Sequence, residues 1–215
     1  LIIDYLQQGF YPTGKRTAND GFRPMATLVK ALLIGSGRPM ASPNQQGTST
    51  PGAGVNTNFP NLDQGFGTQV AGDVMYFSGE SDHALWLDGE VGDQCGSCPT
   101  FTAAGQSRSI AFRASGNGDI RFTLVWSEPE SPINTNKALI NDLDLEVLDE
   151  SNNQLSYPNR CGATASRGNW CDGNRDRLNN VERVIIANPT AGKTFRMTVT
   201  ARTFQKGPVP YSLVV

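Results

Sequence analysis

A mainly β chain is predicted, with a C-terminal antiparallel β-sandwich of jelly-roll type over residues 93–215 and a helical, loop-rich segment over residues 1–92. Three observations lead there. From about Cys95 onward, short stretches rich in β-branched and aromatic residues recur at regular spacing, at 109–113, 120–126, 139–147, 181–186, 195–201 and 211–215. Between them lie runs with turn chemistry: Ser115-Gly-Asn-Gly118, Asp149-Glu-Ser-Asn-Asn153, Asn188-Pro-Thr-Ala-Gly192 and Lys206-Gly-Pro208. The composition agrees, because 23 Gly and 13 Pro against only 18% charged residues in 215 suit a loop-rich β protein better than a helical bundle.

Taken in order, residues 1–8 show helical periodicity stopped by Gly9. They read as the end of an amphipathic helix whose beginning is missing, so a piece of a longer polypeptide is expected. Phe10-Tyr-Pro-Thr-Gly14 and the polar run to Asp20 form a loop. Pro24 stands where a helix start tolerates proline, and Met25, Leu28, Val29, Leu32 and Leu33 follow at helical spacing, which predicts a helix over 24–34 ended by Gly35. That helix is apolar nearly all round and must be buried against a larger body. Residues 36–63 form a long Gly/Pro/Asn/Ser/Thr loop, Gln64-Gly-Phe-Gly67 a tight turn, and the character changes between Asp88 and Cys95. No internal repeat is visible.

The net charge of −2 and the scattered basic residues give no footprint for nucleic acid or an anionic membrane. No apolar run is long enough to span a bilayer, and no signal peptide is visible at Leu1. No nucleic-acid or membrane partner is expected.

The stretch Ala138-Leu-Ile-Asn-Asp-Leu-Asp-Leu-Glu-Val147 carries the most specific chemistry. As a strand it sends Leu143, Leu145 and Val147 to one face and Asp142, Asp144 and Glu146 to the other. Three like charges that close call for a cation between them or for water around them. Downstream, Trp170-Cys-Asp-Gly-Asn-Arg-Asp-Arg-Leu-Asn-Asn-Val-Glu182 adds Asp172, Asp176, Asn179 and Asn180 as oxygen donors. Oxygen-rich clusters from two segments suit a hard cation such as calcium, although the spacing is not that of an EF-hand loop. The plain alternative is the solvated face of an amphipathic strand, with Asp and Asn serving as turn formers.

The four cysteines, Cys95, Cys98, Cys161 and Cys171, could supply a zinc site in principle, but nine residues of Gly/Asn/Arg-rich loop separate the second pair. Two disulfides are the preferred reading, Cys161–Cys171 as a loop staple and Cys95–Cys98 as a tight local bridge, and both imply an oxidising compartment. No Asn-x-Ser/Thr sequon occurs, since Asn188-Pro-Thr is blocked by its proline.

Two features imitate catalysis. Gly47-Thr48-Ser49 has the look of a serine nucleophile motif, yet Thr50-Pro-Gly-Ala-Gly54 behind it cannot open the helix such a serine needs. His83 is the sole histidine, in Glu80-Ser-Asp-His-Ala-Leu-Trp86, and reads as a surface or capping residue. Of the three tryptophans, Trp126 follows Phe122 and Leu124 with period two and belongs to the core, whereas the loop position of Trp170 leaves a binding role open. No catalytic residue is assigned within this chain.

The order of segments is itself informative: a helix tail, Gly-Phe-Tyr-Pro-Thr-Gly, Leu-Val-Lys-Ala-Leu-Leu-Ile, Asn-x-x-Gln-Gly-Phe-Gly, then Thr-Leu-Val-Trp, Leu-Ile-Asn-Asp-Leu-Asp-Leu, Asn-Asn-Val-Glu-x-Val and Gly-Pro-x-x-Tyr-Ser-Leu-Val-Val. It resembles the C-terminal part of secreted subtilisin-like serine proteases that carry a C-terminal jelly-roll domain. The likeness runs through the whole chain except residues 36–59 and the loops at Cys95 and Cys161.

That resemblance implies that residues 1–92 are the end of an α/β catalytic domain whose Asp, His, Asn and Ser lie upstream of Leu1. The chain's partner would be that upstream segment, with a protein or peptide substrate reached through it, outside the cell. It also implies structural calcium near Asp142, Asp144, Asp172 and Asp176, although the segment Asp172-Gly-Asn-Arg-Asp-Arg-Leu-Asn-Asn180 is longer than the family's pattern. The alternative function is a non-catalytic, lectin-like or protein-binding jelly-roll module using Trp170.

Overall fold

The computed structural model describes residues 1–40, 60–61, 64–93, 98–116, 118–162 and 170–215. Two antiparallel sheets face each other as a β-sandwich, as the strand pattern predicts. The elements in chain order are α1 (Ile2–Gln7), α2 (Ala26–Gly35), β1 (Gly37–Arg38), β2 (Thr68–Gln69), β3 (Leu87–Gly89), β4 (Thr100–Phe101), β5 (Ser107–Arg113), β6 (Ile120–Trp126), β7 (Asp142–Asp149), β8 (Gln154–Ser156), β9 (Cys171–Asp172), β10 (Arg175–Asp176), β11 (Val181–Ile186), β12 (Thr194–Thr203) and β13 (Val209–Val214). One sheet runs β11-β6-β13-β3 with β4 also on β13, and the other runs β5-β12-β7-β8. A two-stranded antiparallel pair, β1–β2, and a short hairpin, β9–β10, stand apart from them.

Alternation builds the core. β12 buries Phe195, Met197, Val199 and Ala201 and turns Arg196, Thr198 and Thr200 away. β7 does the same with Leu143, Leu145 and Val147, and β6 sends Phe122, Leu124 and Trp126 to meet them. Phe112 packs edge-on against Phe122, and Phe101 stacks on Tyr211, closing the ends of that core.

β6 and β13 are buried on their second face as well, because α2 lies across them. Val125, Val181 and Val214 there join Leu28, Ala31 and Leu32 of α2 and Ile2, Tyr5 and Leu6 of α1 in a second core. One apolar face of α2, with Leu28, Ala31 and Leu32, is thus explained: it covers the outer face of a sheet that is buried on both sides. Thr27 Oγ1 lies 2.8 Å from Ser212 Oγ, which itself donates to the Glu90 carbonyl at 2.7 Å. Leu87–Gly89, placed by the sequence before the change of character, is a strand of the sandwich sheet, pairing with β13.

The strand expected at 139–147 begins three residues later than its apolar pattern suggests. The N–H groups of Ile140 and Asn141 donate to the Glu128 carboxylate, at 2.7 and 3.0 Å, instead of to a neighbouring strand. Asn141 is fully buried and clamps the approach to β13: its Nδ2 donates to the Lys206 carbonyl at 2.7 Å while its Oδ1 accepts from the N–H of Gln205 at 2.9 Å.

Candidate functional site

The carboxylate face of β7 is where the chain concentrates its charge. Asp142 and Asp144 are only 3% and 4% exposed, so this face is not the solvated side of an amphipathic strand. The β9–β10 hairpin and the segment after it cover it, and they cover it with cations. Arg177 Nη1 lies 2.9 Å from Asp142 Oδ2 and 2.6 Å from Asp144 Oδ1. Arg175 Nε lies 3.3 Å from Asp144 Oδ2, and its Nη2 pairs with Glu146 Oε1. The Arg175 guanidinium also sits over the Tyr157 ring, 5.0 Å from its centroid.

Glu182 completes the corner from the other sheet. Its side chain is fully buried, and one carboxyl oxygen accepts the N–H of Leu145. β8 pairs with β7 only from Val147 to Asp149, so the free edge of β7 near Leu145 needs such an acceptor. Burial pushes the Glu182 carboxyl well above the ordinary value; the Leu145 N–H opposes this, and the charges of Asp144, Asp176 and Asp142 add to it. Asp142 is raised too, first by burial, with Arg177 working against it and Asp144 with it.

Asp176, the third expected ligand, is fully buried but directed elsewhere. Its Oδ1 accepts from the N–H groups of Leu178 and Asn179 at 3.0 and 3.1 Å, and its Oδ2 from Asn159 Nδ2 and Asn179 Nδ2 at 2.7 and 2.8 Å. It is the organiser of the hairpin's exit. Asp172, the fourth, lies opposite Arg175 in the hairpin register with an exposed side chain.

The structure therefore brings Asp142, Asp144 and Asp176 to one corner and leaves Asp172 at its surface. Calcium takes six to eight oxygens at about 2.3–2.6 Å. The donor set present does not suit it: guanidinium nitrogens stand on Asp142 and Asp144, and all four Asp176 bonds are taken by N–H donors. Among the described residues, no group of three or more His, Cys, Asp or Glu could hold a metal ion.

The hairpin is tied down covalently. Cys161 and Cys171 form a disulfide across a separation of 10 residues, as the loop-staple reading expects. Cys98 is disulfide-bonded; Cys95 lies outside the described residues, and so does the Gly47-Thr48-Ser49 triplet. Asn159, held at a positive φ of 50°, donates from Nδ2 to the Val181 carbonyl at 2.7 Å and accepts from the Arg183 N–H at 3.1 Å. Trp170 uses its indole N–H on the Asn159 carbonyl at 3.2 Å, so the indole is a strut for the loop. Trp126 is a core residue, 1% exposed.

A second concavity, a cleft of about 600 Å³, opens where residues 82–86 face the sandwich, lined among others by His83, Trp86, Phe112, Arg113 and Arg121. Trp86 packs edge-on against Phe112 at 5.1 Å. His83 Nδ1 is 3.4 Å from Asp82 Oδ1, its own neighbour in sequence. On the same side, Asp73 receives Arg38 Nε at 2.7 Å and Arg121 Nη1 at 2.6 Å, pinning the 3₁₀ turn Ala71–Val74 to β1 and β6. Among the described residues, no helix is long and apolar enough to cross a membrane.

The sequence reading missed Arg175, Arg177, Glu182 and Asn159. A signal for the arginines was present: they stand two apart, the same period as the carboxylates of β7. Glu182 carried none, since a single acid in an apolar strand looks like any outward-facing residue until the second sheet is in place.

No protein-family model matches the chain. It is similar along its whole length to the Serine protease/ABC transporter B family protein tagD of Dictyostelium discoideum, with 26% identity over 242 residues of alignment, and to tagB of the same organism, with 26% over 237. For tagA, 28% identity extends over 193 residues and 89% of the chain. The chain spans only 13%, 12% and 10% of tagD, tagB and tagA respectively. The molecule is thus a disulfide-stapled β-sandwich bearing a docked helical segment, distantly related to proteins named for a serine protease.

Proposed function

We propose that the chain is the C-terminal portion of an extracellular subtilisin-like serine endopeptidase, in which the sandwich braces the end of the catalytic part. The observation that carries this reading is the way residues 1–40 are used. α2 is packed on the outer face of the sandwich sheet, while Leu1, Ile3 and Leu33 of the same helical segment remain 80%, 46% and 43% exposed. An apolar helix pair seated on a sheet on one side and bare on the other suits a segment shared between two bodies. The relatives' printed names and the ordered motifs from Gly9 to Val215 support a protease as the second body. The Cys161–Cys171 disulfide supports an oxidising compartment.

In this reading the nucleophile, the general base and the oxyanion donors come from sequence upstream of Leu1, by the acyl-enzyme route of serine proteases. Substrate, a protein or peptide, is bound there. The sandwich contributes by holding the last catalytic-domain helix in place, through the second core and through the Arg183 guanidinium, which donates to the Gly35 and Gly37 carbonyls at the helix end.

The test is to sequence the source polypeptide upstream of Leu1 and to assay two species on a casein substrate. The chain alone should not cleave casein, and the longer polypeptide, carrying a Gly-Thr-Ser-Met nucleophile motif, should. A longer polypeptide without that motif, or without esterase and protease activity when folded, overturns the proposal.

A further inference from the structure

The outward face of β7 presents Asp142, Asp144 and Glu146 at alternate positions, about 7 Å apart along the strand. Two of these are buried, and buried like charges persist only with an opposite charge in contact. A strand with this face demands a cation. The chain itself delivers one from the opposite side: Arg177 Nη1 bridges Asp142 and Asp144, and Arg175 spans Asp144 and Glu146. We propose that Arg175 and Arg177 take the place of a bound metal ion at this corner, so that the sandwich is cross-linked by a tethered pair of guanidinium groups and is independent of calcium.

Three features of the corner support the exchange. First, the arginines are held by contacts besides those to their carboxylates: Tyr157 underlies Arg175, Cys171 is fixed by its disulfide, and Asp176 between the two arginines is fastened by four N–H donors. Second, the two arginines stand two residues apart, matching the two-residue spacing of the β7 carboxylates they contact. Third, a guanidinium keeps its charge over the whole working pH range and cannot dissociate from the chain, so its contribution does not depend on free ion concentration, unlike that of a bound ion. The oxygens that a cation replacing the arginines would meet are the ones they occupy, Asp142 Oδ2, both carboxyl oxygens of Asp144 and Glu146 Oε1; Asp142 Oδ1 and Glu182 Oε1, both buried, have no hydrogen-bond partner among the described residues.

The experiment compares thermal midpoints of the full chain in excess EDTA and in millimolar calcium chloride, with terbium luminescence as a direct probe of hard-cation binding. The wild-type midpoint should be the same in both buffers, and terbium should show no saturable, calcium-competed signal. Arg175→Gln/Arg177→Gln should melt lower than wild type in EDTA, and calcium should restore part of the loss, by about 3–6 °C at ten times the dissociation constant. A wild-type midpoint that falls in EDTA, or saturable terbium binding to wild type, overturns the proposal. So does a double variant that melts like wild type, or one whose lowered midpoint ignores calcium, since the arginines would then be ordinary ion pairs. Should the double variant not fold, Asp144→Asn decides: a midpoint lowered equally in both buffers supports the guanidinium clamp, and one lowered only in calcium shows a metal.

Discussion

Arg183 Nη2, in β11, donates to the carbonyl of Gly37 at 2.8 Å and to that of Gly35, the last residue of α2, at 3.1 Å. A side chain of the sandwich therefore caps the C-terminal end of the helix that lies on its sheet. The site is chemically apt, because the last carbonyls of a helix lack intrahelical donors and carry the negative end of its dipole. Arg183 is 3% exposed; burial, with Arg121 nearby, lowers it to about 10, and Asp73 and Asp119 act the other way.

Replacing Arg183 by Met should keep the apolar stem and remove the cap. The Gly35 and Gly37 carbonyls would then be left short of a donor in a buried place, at a cost of about 2–4 kcal/mol. Urea unfolding followed by tryptophan fluorescence reads this directly. A loss below about 0.5 kcal/mol would show that water replaces the guanidinium and that α2 is held by its apolar face alone.

Removing the Cys161–Cys171 bridge with a paired Ser substitution should lower stability by about 2–3 kcal/mol, the loop-closure value for a loop of this size. Because that bridge fixes Cys171 opposite Asp176 in the hairpin, limited proteolysis should cut first between Cys161 and Cys171 in the variant. Equal cutting in both proteins would separate the bridge from the order of the hairpin.

Glu182 contributes to the loss of stability as pH rises above the unfolded carboxyl value of 4.5. Its folded carboxyl is raised above the unfolded value of 4.5, mainly by burial. The stability it contributes is therefore fully present below that value and is lost as pH rises through the raised folded one. Glu182→Gln keeps an oxygen for the Leu145 N–H and has no proton to lose, so its melting temperature should fall less than that of wild type as pH rises above 4.5. Parallel curves would assign the pH dependence to other groups.

Asp149 acts on the acid side. The Ser151 hydroxyl first, then the Lys193 ammonium, hold its carboxyl at about 2 against an ordinary 3.8. That contribution is present above 3.8 and is lost as pH falls through about 2. The acid limb of the melting profile should be shallower for Asp149→Asn than for wild type.

Within the core, Leu145→Ala removes a fully buried side chain facing β6 and should cost about 2–5 kcal/mol. Leu155→Ala in the edge strand β8, where the side chain is 40% exposed, should change stability by about 0.5 kcal/mol or less. Chemical denaturation of the two variants side by side tests whether β7 rather than β8 carries the sheet.

The long strands could be read from the sequence because each keeps one period over several residues. Val181–Ile186 and Ile120–Trp126 fall where their apolar runs do. Leu87–Gly89 and Thr100–Phe101 could not be read, since two or three residues carry no period and are strands only because β13 lies beside them. At the acidic corner, the residue types were visible and their pairing was not. An aspartate looks the same in sequence whether an ion, water or an arginine 33 or 35 residues away neutralises it.

The helix on the sheet also bears on where this polypeptide can be divided. A fragment beginning at residue 93 would omit Leu87–Gly89, leaving part of the β13 edge without its neighbour, and would uncover Val125, Val181 and Val214. Such a piece would present a wet apolar wall and an open strand, a template for pairing with other copies of itself. The unit that can be moved between proteins intact is the sandwich together with its helix, and a graft joined ahead of α2 should stay dispersed where one joined at 93 precipitates.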